Sequence, residues 1–196
     1  MLLTYANLTI ANSAPYNQDY RDIYYQPQNG FEESNHTFIH ANHLPQRFAN
    51  LHAGQAFCIG EIGFGSGLNA LNTIDHFLRH ARSQSHLHYC SVEKHPIELN
   101  TLKTLHQNWC QPQIRAQLYQ QYPHNHSGIH TLHLHPRIHL HLLLGDAHDL
   151  LPQLHAKIDA WYLDGFAPQQ KPPMLASPPI CPYCAHQPPH HHPLQL

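Results

Sequence analysis

Charged side chains are scarce in this chain of 196 residues. Lys, Arg, Asp and Glu together make up 11% of it, against roughly 25% in typical soluble proteins. Ten basic and twelve acidic residues give a formal net charge of −2, so the chain lacks the strongly basic balance that is typical of nucleic-acid-binding domains. No run of 18 apolar residues occurs, which excludes a membrane-spanning helix. The N-terminus has no basic start followed by an apolar core, as a secretory signal would. These absences predict a soluble, cytoplasmic protein.

Histidine and proline take the place of the missing charge, with 23 and 17 residues. The five cysteines are an odd number, which does not suggest a disulfide framework in a cytosolic protein. Cys58, Cys90 and Cys110 lie in segments that we expect to be buried, where cysteine acts as a small hydrophobic residue. Histidines alternate with other residues near position 135, which predicts one strand with histidine on one face rather than a metal cluster.

The composition divides the chain into three segments. Residues 1–50 are polar and aromatic, and we expect short strands and loops there. Residues 51–168 alternate apolar runs with helical patterns, which is typical of an α/β fold with a parallel sheet. Residues 169–196 are rich in proline and histidine and have no charged residue after Lys171. We expect this tail to be disordered.

The middle segment can be assigned to individual elements. Strands are predicted at residues 56–62, 87–92, 137–144 and 158–163. Helices are predicted at 68–82, from Pro96 to about Trp109, and at about 147–154. Residues 110–135 are predicted to be an irregular insertion.

Acidic residues follow the predicted strands. Glu61, Glu93, Asp146 and Asp164 each stand at or near a carboxyl end, and ligands of open α/β sheets bind at that edge. Three glycines, Gly63, Gly65 and Gly67, form the turn after the first strand. Glycine lets a backbone turn sharply and approach a ligand closely. The pattern predicts a ligand site at this edge.

The glycine spacing favours S-adenosylmethionine over NAD. A dinucleotide site needs GxGxxG and an acidic residue about 20 residues later, whereas this chain has GxGxG and places Glu93 26 residues after Gly67. A carboxylate can accept both hydroxyls of a ribose. Simpler interpretations stay open: Glu61 as an exposed strand-end acid, and Asp146 and Asp149 as charges that complement a helix dipole.

Four motifs resemble a known family. They are RDIYYQPQNGFEESNHTFIHANHLPQRF (21–48), GEIGFGSGLNAL (60–71), VEKHP (92–96) and DAWYLDGFAPQQKPPM (159–174). Over about residues 4–174 the chain looks like the methyltransferase domain of the bifunctional proteins of tRNA 5-methylaminomethyl-2-thiouridine biosynthesis. The resemblance implies a Rossmann-like class I methyltransferase sheet, here incomplete at the C-terminus and preceded by an N-terminal β-rich extension.

The resemblance also implies a function. The family transfers a methyl group from S-adenosylmethionine to the aminomethyl nitrogen of the modified wobble uridine in tRNA. The residues that the resemblance implies for cofactor binding are Glu61, Gly63, Gly65, Gly67, Glu93 and Asp146. The catalytic positions are Asp164, Phe166 and Pro168. FAD is expected only if an oxidoreductase half exists elsewhere, and tRNA is the one macromolecular partner that the resemblance implies.

The chain departs from the family after about residue 174. A proline-rich tail without glycine cannot supply a central strand, so we expect a truncated or frame-shifted product. On that view Cys181 and Cys184, with the histidines near them, resemble metal ligands only by accident, and no metal site is predicted. The alternative function is a catalytically inactive remnant of a nucleotide-binding fold that binds its ligand weakly.

Overall fold

The computed structural model describes residues 3–11 and 14–165. Its N-terminal part forms a small antiparallel sheet of β1 (Leu8–Ala11), β2 (Ala14–Asn17) and β3 (Asp22–Ile23). Helix α1 (Gly30–Ser34), a π-helical segment (Asn35–His40) and helix α2 (Leu44–Ala49) follow. The predicted β-rich extension is therefore confirmed in its strands, but its second half is helical. Leu44 and Phe48 of α2 are fully buried in the main core.

The centre of the molecule is a five-stranded sheet with the spatial order β6-β7-β5-β4-β8. Its strands are β4 (Ala56–Ile62), β5 (His86–Glu93), β6 (Gly128–His135), β7 (Ile138–Leu144) and β8 (Ala160–Leu163). All neighbouring pairs are parallel except β6 with β7. The helices of this part are α3 (Leu68–His80), α4 (Leu99–Leu105), α5 (Pro112–Gln121) and α6 (Ala147–Leu150), which a 3-10 turn (Leu151–Gln153) extends.

The strand order explains why a ligand site forms between β4 and β8. From β4 the chain passes to β5 and then β7 on one side, and it later returns to place β8 on the other side. The direction of the crossovers reverses at β4, which opens a crevice at the carboxyl ends of β4 and β8. The predicted Rossmann-like α/β architecture is confirmed.

The two faces of the central sheet differ in burial. One face, here called the helix-covered face, packs against α3, α4 and α5 and includes Ile59, Leu87, Tyr89, Leu140 and Tyr162. The opposite face, here called the histidine face, carries alternate residues of the same strands. Its buried members are Gly60, Cys90, Val92 and Leu143, its half-buried members include Cys58, His88, His139, His141 and Trp161, and His133 is exposed.

Residues 110–135 are not an irregular insertion, and that prediction is wrong. They form α5 and β6, and β6 pairs antiparallel with β7 around Pro136 and Arg137. The alternating histidines therefore lie on two strands of a hairpin rather than on one. The buried side chains Leu132 and Leu134 follow the two-residue period of β6, but histidine on the other face weakened its hydropathy signal.

Two smaller predictions also fail. The helix expected from Pro96 begins at Leu99, because the carbonyls of Pro96 and Ile97 bind partners outside the helix: Ala6 N–H at 3.0 Å and the Tyr122 hydroxyl at 3.1 Å. Cys110 is exposed rather than buried, since it lies in the link between α4 and α5. In the described ranges no helix is long and apolar enough to cross a membrane.

Candidate functional site

The glycine-rich turn joins β4 to α3 in a conformation that only glycine adopts easily. Gly63, Gly65 and Gly67 have φ angles of +94°, +53° and +76°. A Cβ at Gly63 would lie 2.5 Å from the Asp164 carbonyl oxygen, and one at Gly65 would lie 3.1 Å from the Tyr24 ring. Glycine is therefore required for the left-handed backbone and for the close approach of β8 and the N-terminal segment.

Glu93 fixes this turn from the end of β5. Its Oε2 accepts a hydrogen bond from the Gly65 N–H at 2.9 Å, and its Oε1 accepts one from the His95 N–H at 2.8 Å. Burial raises the pKa of Glu93, while these N–H groups favour its ionised form. The Lys94 N–H is a third backbone group that favours the ionised form. A carboxylate offers about four lone-pair positions, so these three N–H groups leave about one for a ligand.

A cavity of about 320 Å³ opens at the carboxyl ends of β4, β5 and β8. Gly63, Gly65, Glu93 and Asp164 line it, and so does Asn69 of α3. The N-terminal segment also lines the cavity, through residues Tyr20, Tyr24, Tyr25, Glu33, Thr37 and Phe38. Its volume lies within the range of small-molecule sites, about 300–1,000 Å³. The N-terminal wall was missed as part of the site, although the aromatic residues of segment 21–48 were a signal.

Asp164 and Glu61 approach the cavity from β8 and β4, but only Asp164 lines it. The Asn69 amide donates to Asp164 Oδ2 at 2.6 Å and to Glu61 Oε1 at 3.2 Å. Glu61 is 1% exposed, so it is not the exposed strand-end acid of the simpler interpretation. Phe166 and Pro168 lie outside the described residues, as do the cysteines and histidines of the tail.

Asp146 occupies the N-cap of α6 beside the cavity. Its Oδ1 accepts from the His148 N–H at 2.9 Å, and its Oδ2 pairs with Lys94 Nζ at 2.9 Å. The hydrogen bond from Lys94 lowers the pKa of Asp146. Its neighbours Gly145 and Ala147 line the cavity, whereas Asp146 does not. The helix-capping interpretation therefore describes its contacts well.

His106 contacts the glycine-rich turn on the side away from the cavity, and no pattern in the sequence predicts this contact. The ring is fully buried; Nε2 lies 2.7 Å from the Ser66 carbonyl oxygen and Nδ1 lies 3.0 Å from the Tyr119 hydroxyl. Burial lowers the pKa of His106 to about 4. The neutral ring can therefore donate from Nε2 to Ser66 and accept from Tyr119 at Nδ1. Among the described residues, no three potential ligands are placed to hold a metal ion.

Comparison with known proteins agrees with this geometry. Residues 111–178 match a family described as S-adenosyl-L-methionine-dependent methyltransferase, which confirms S-adenosylmethionine as the expected cofactor. The chain is 48% identical over 174 residues to the tRNA 5-methylaminomethyl-2-thiouridine biosynthesis bifunctional protein MnmC of Dichelobacter nodosus. It is 41% identical over 164 residues to the protein of the same name from Chromohalobacter salexigens.

These matches cover most of this chain and a smaller part of its relatives. They include 89% and 83% of this chain, but the chain spans only about a quarter of either relative, 28% and 24%. The crystal structure of MNMC2 from Aquifex aeolicus superposes with a TM-score of 0.59 at 19% identity, over 85% of this chain and 52% of that one. The chain is thus similar in sequence to part of the MnmC bifunctional proteins, and its residues 111–178 match a family of S-adenosyl-L-methionine-dependent methyltransferases.

Proposed function

We propose that this chain binds S-adenosylmethionine at the cavity and transfers its methyl group to the aminomethyl nitrogen of the modified wobble uridine in tRNA. The observation that carries the proposal is the meeting of the glycine-rich turn, Glu93 and Asp164 at the β4–β8 crevice. The names of the relatives support tRNA as the partner. We place the reaction in the cytoplasm.

The residues at this edge suit the proposed cofactor. Glu93 retains a further lone-pair position that can accept a ribose hydroxyl. The bare Cα atoms of the turn allow close contact with the ligand. The carboxylates of Glu93 and Asp164 favour a cationic ligand, because an opposite charge nearby stabilises it. GxGxG lacks the spacing of a pyrophosphate-binding fingerprint.

When bound, S-adenosylmethionine supplies a methyl group on a positively charged sulfur. The task of the protein is to align the amine nitrogen with that carbon and to keep the nitrogen unprotonated. Asp164 can accept a proton from the amine and orient its lone pair toward the methyl carbon. Asp164 would pass that first proton to water. When the nitrogen takes the methyl group, the C–S electron pair would remain on sulfur, which leaves as a neutral thioether, and the new secondary ammonium could then release its proton to the regenerated Asp164 carboxylate or to water. Gly165, which also lines the cavity, leaves space for the base to approach.

The Asp164→Asn variant tests this assignment. We expect it to bind S-adenosylmethionine within a few-fold of the wild-type affinity, measured by isothermal titration. Methyl transfer to tRNA that carries the aminomethyl uridine should fall about a hundredfold or more, the usual scale for losing a positioned acid–base group. Asp159→Asn is a matched control, because Asp159 immediately precedes β8 at its other end and accepts the Cys58 N–H at 2.9 Å.

The outcomes separate the possible functions. A wild-type chain that binds S-adenosylmethionine without transferring methyl would support the inactive remnant. Binding of NAD in its place would contradict the cofactor assignment. Normal turnover by the Asp164→Asn variant would reduce Asp164 to a turn residue and leave the methyltransferase proposal intact.

A further inference from the structure

A single amide group links the two carboxyl groups at the β4–β8 crevice. Asn69 lies in the first turn of α3, and its Nδ2 is 3.2 Å from Glu61 Oε1 and 2.6 Å from Asp164 Oδ2. A primary amide has two N–H donors that point in fixed directions from one nitrogen. One donor can therefore serve each carboxyl group, and the position of Asn69 restricts the orientation of the Asp164 carboxylate.

Glu61 holds Asn69 from the interior of the sheet. Its Oε2 accepts a hydrogen bond from the Ser91 hydroxyl at 2.6 Å. The titratable groups that interact electrostatically with Glu61 are Tyr89, Tyr162 and Asp164. Burial, and secondarily the charge of Asp164, raise the pKa of Glu61 to about 8. Glu61 is therefore mostly neutral at pH 7, and it fixes the amide without placing a second full charge behind Asp164.

We propose that Asn69 is a positioning residue for methyl transfer: anchored by Glu61, it holds the Asp164 carboxylate in the orientation that accepts the proton of the amine. This inference rests on the proposed function. Asn69 itself touches the cavity, but it has no proton to exchange near neutrality. It acts through Asp164, and removing it should lower the rate more than the affinity.

The same helix provides a matched control. Asn72 follows Asn69 by three residues, is 5% exposed against 7% for Asn69, and donates from Nδ2 to Ser34 Oγ at 3.0 Å and Asn35 Oδ1 at 2.9 Å. Both asparagines are thus buried amides with two side-chain acceptors. Only Asn69 contacts a carboxyl group of the site, so the two alanine variants separate positioning from general stability.

We expect Asn69→Ala to lower kcat for methyl transfer about tenfold or more, with KM for S-adenosylmethionine changed less than threefold. Asn72→Ala should leave kcat within about twofold. Asn69→Asp replaces a donor by a carboxylate, so its rate should be low at pH 8 and recover toward the wild-type rate as the pH falls and the new carboxyl is protonated. A purely structural role would not produce that pH profile.

Crystal structures of the wild type and of Asn69→Ala give a readout that does not depend on activity. We expect the Asp164 carboxylate to leave its position in the alanine variant and to keep it in Asn72→Ala. If the wild type transfers no methyl group but the Asp164 carboxylate still changes position in Asn69→Ala, the proposed function is wrong. The contact by which Asn69 positions Asp164 is then still supported. An unchanged Asp164 position in Asn69→Ala, or equal losses of kcat in both alanine variants, would overturn the inference.

Discussion

The two faces of the central sheet consist of alternate residues of the same strands, yet they have opposite chemistry. The helix-covered face presents side chains such as Leu140 and Tyr162, each at most 1% exposed, to α3, α4 and α5. The histidine face pairs imidazoles across strands: His88 Nδ1 lies 3.1 Å from His141 Nε2, and His133 Nδ1 lies 2.8 Å from His139 Nδ1. Apolar burial therefore dominates the helix-covered face, whereas part of the other face consists of paired histidines.

The largest difference in the free energy of unfolding is expected between two variants that each truncate one side chain, one on each face of the sheet. Leu140→Ala removes a buried side chain and should lower the free energy of unfolding by about 3 kcal/mol, within the usual range for Leu→Ala in a core. His139→Ala, on the adjacent residue, should cost less than about 1 kcal/mol, because His139 is half-buried. Urea denaturation of both variants measures the difference. Equal losses would mean that the histidine face is also a packed core.

The second-largest loss of stability is expected where Gly60 packs closely against Trp161 on the histidine face. A Cβ at Gly60 would lie 2.6 Å from the Trp161 ring, so the indole must move in Gly60→Ala. We expect a loss of about 2 kcal/mol, typical of overpacking. The additional substitution Trp161→Leu should recover part of that loss by making space. A Gly60→Ala variant as stable as the wild type would show that the indole is free to shift.

The pH dependence of stability should have opposite signs on the two faces. Burial lowers the pKa of His141 to about 4, below the unfolded value of about 6.5. Its contribution to stability is therefore lost as the pH falls from about 6.5 toward 4. Glu61 lies on the helix-covered face and has a raised pKa of about 8, so its contribution is lost as the pH rises from about 4.5 toward 8.

Two glutamine variants distinguish these contributions. Compared with the wild type, His141→Gln should lose less stability on acidification from pH 6.5 to pH 4. Glu61→Gln should lose less stability when the pH is raised from 4.5 to 8. Thermal melts across this pH range measure both. Unchanged pH slopes in either variant would contradict the stated pKa shift of that residue.

The elements whose apolar residues recur with a clear strand or helix period were predictable from the sequence. β4 is found where it was expected, and α3 ends within two residues of its predicted end, because their apolar residues follow the strand and helix periods. The strand-end rule placed Glu93 and Asp164 at one cavity. The helix α5 was missed, since only Ile114 and Leu118 of its ten residues are buried, which leaves a weak helical pattern.

The site contacts made by Asn69 and His106 could not be predicted from the sequence. Asn69 meets Asp164 across 95 positions of the chain, and His106 meets Ser66 across 40. Asn69 lies within the motif of residues 60–71, but nothing in the spacing marks either side chain as a site contact. Asn69 is held in place by α3, and His106 is the C-cap residue that directly follows α4. Local patterns report on neighbours in the sequence, whereas these hydrogen bonds depend on how α3 and α4 pack beside the sheet.

The sequence by itself determined that this protein is an α/β chain with a glycine-rich turn and acidic residues at the strand ends, because period, turn chemistry and strand-end position are local properties. The tertiary structure alone decided how the carboxyl groups of Glu61 and Asp164 differ. One is enclosed behind Asn69 and the other lines the cavity. Burial sets the cost of ionising a carboxyl group, and burial is defined only once distant elements have packed together.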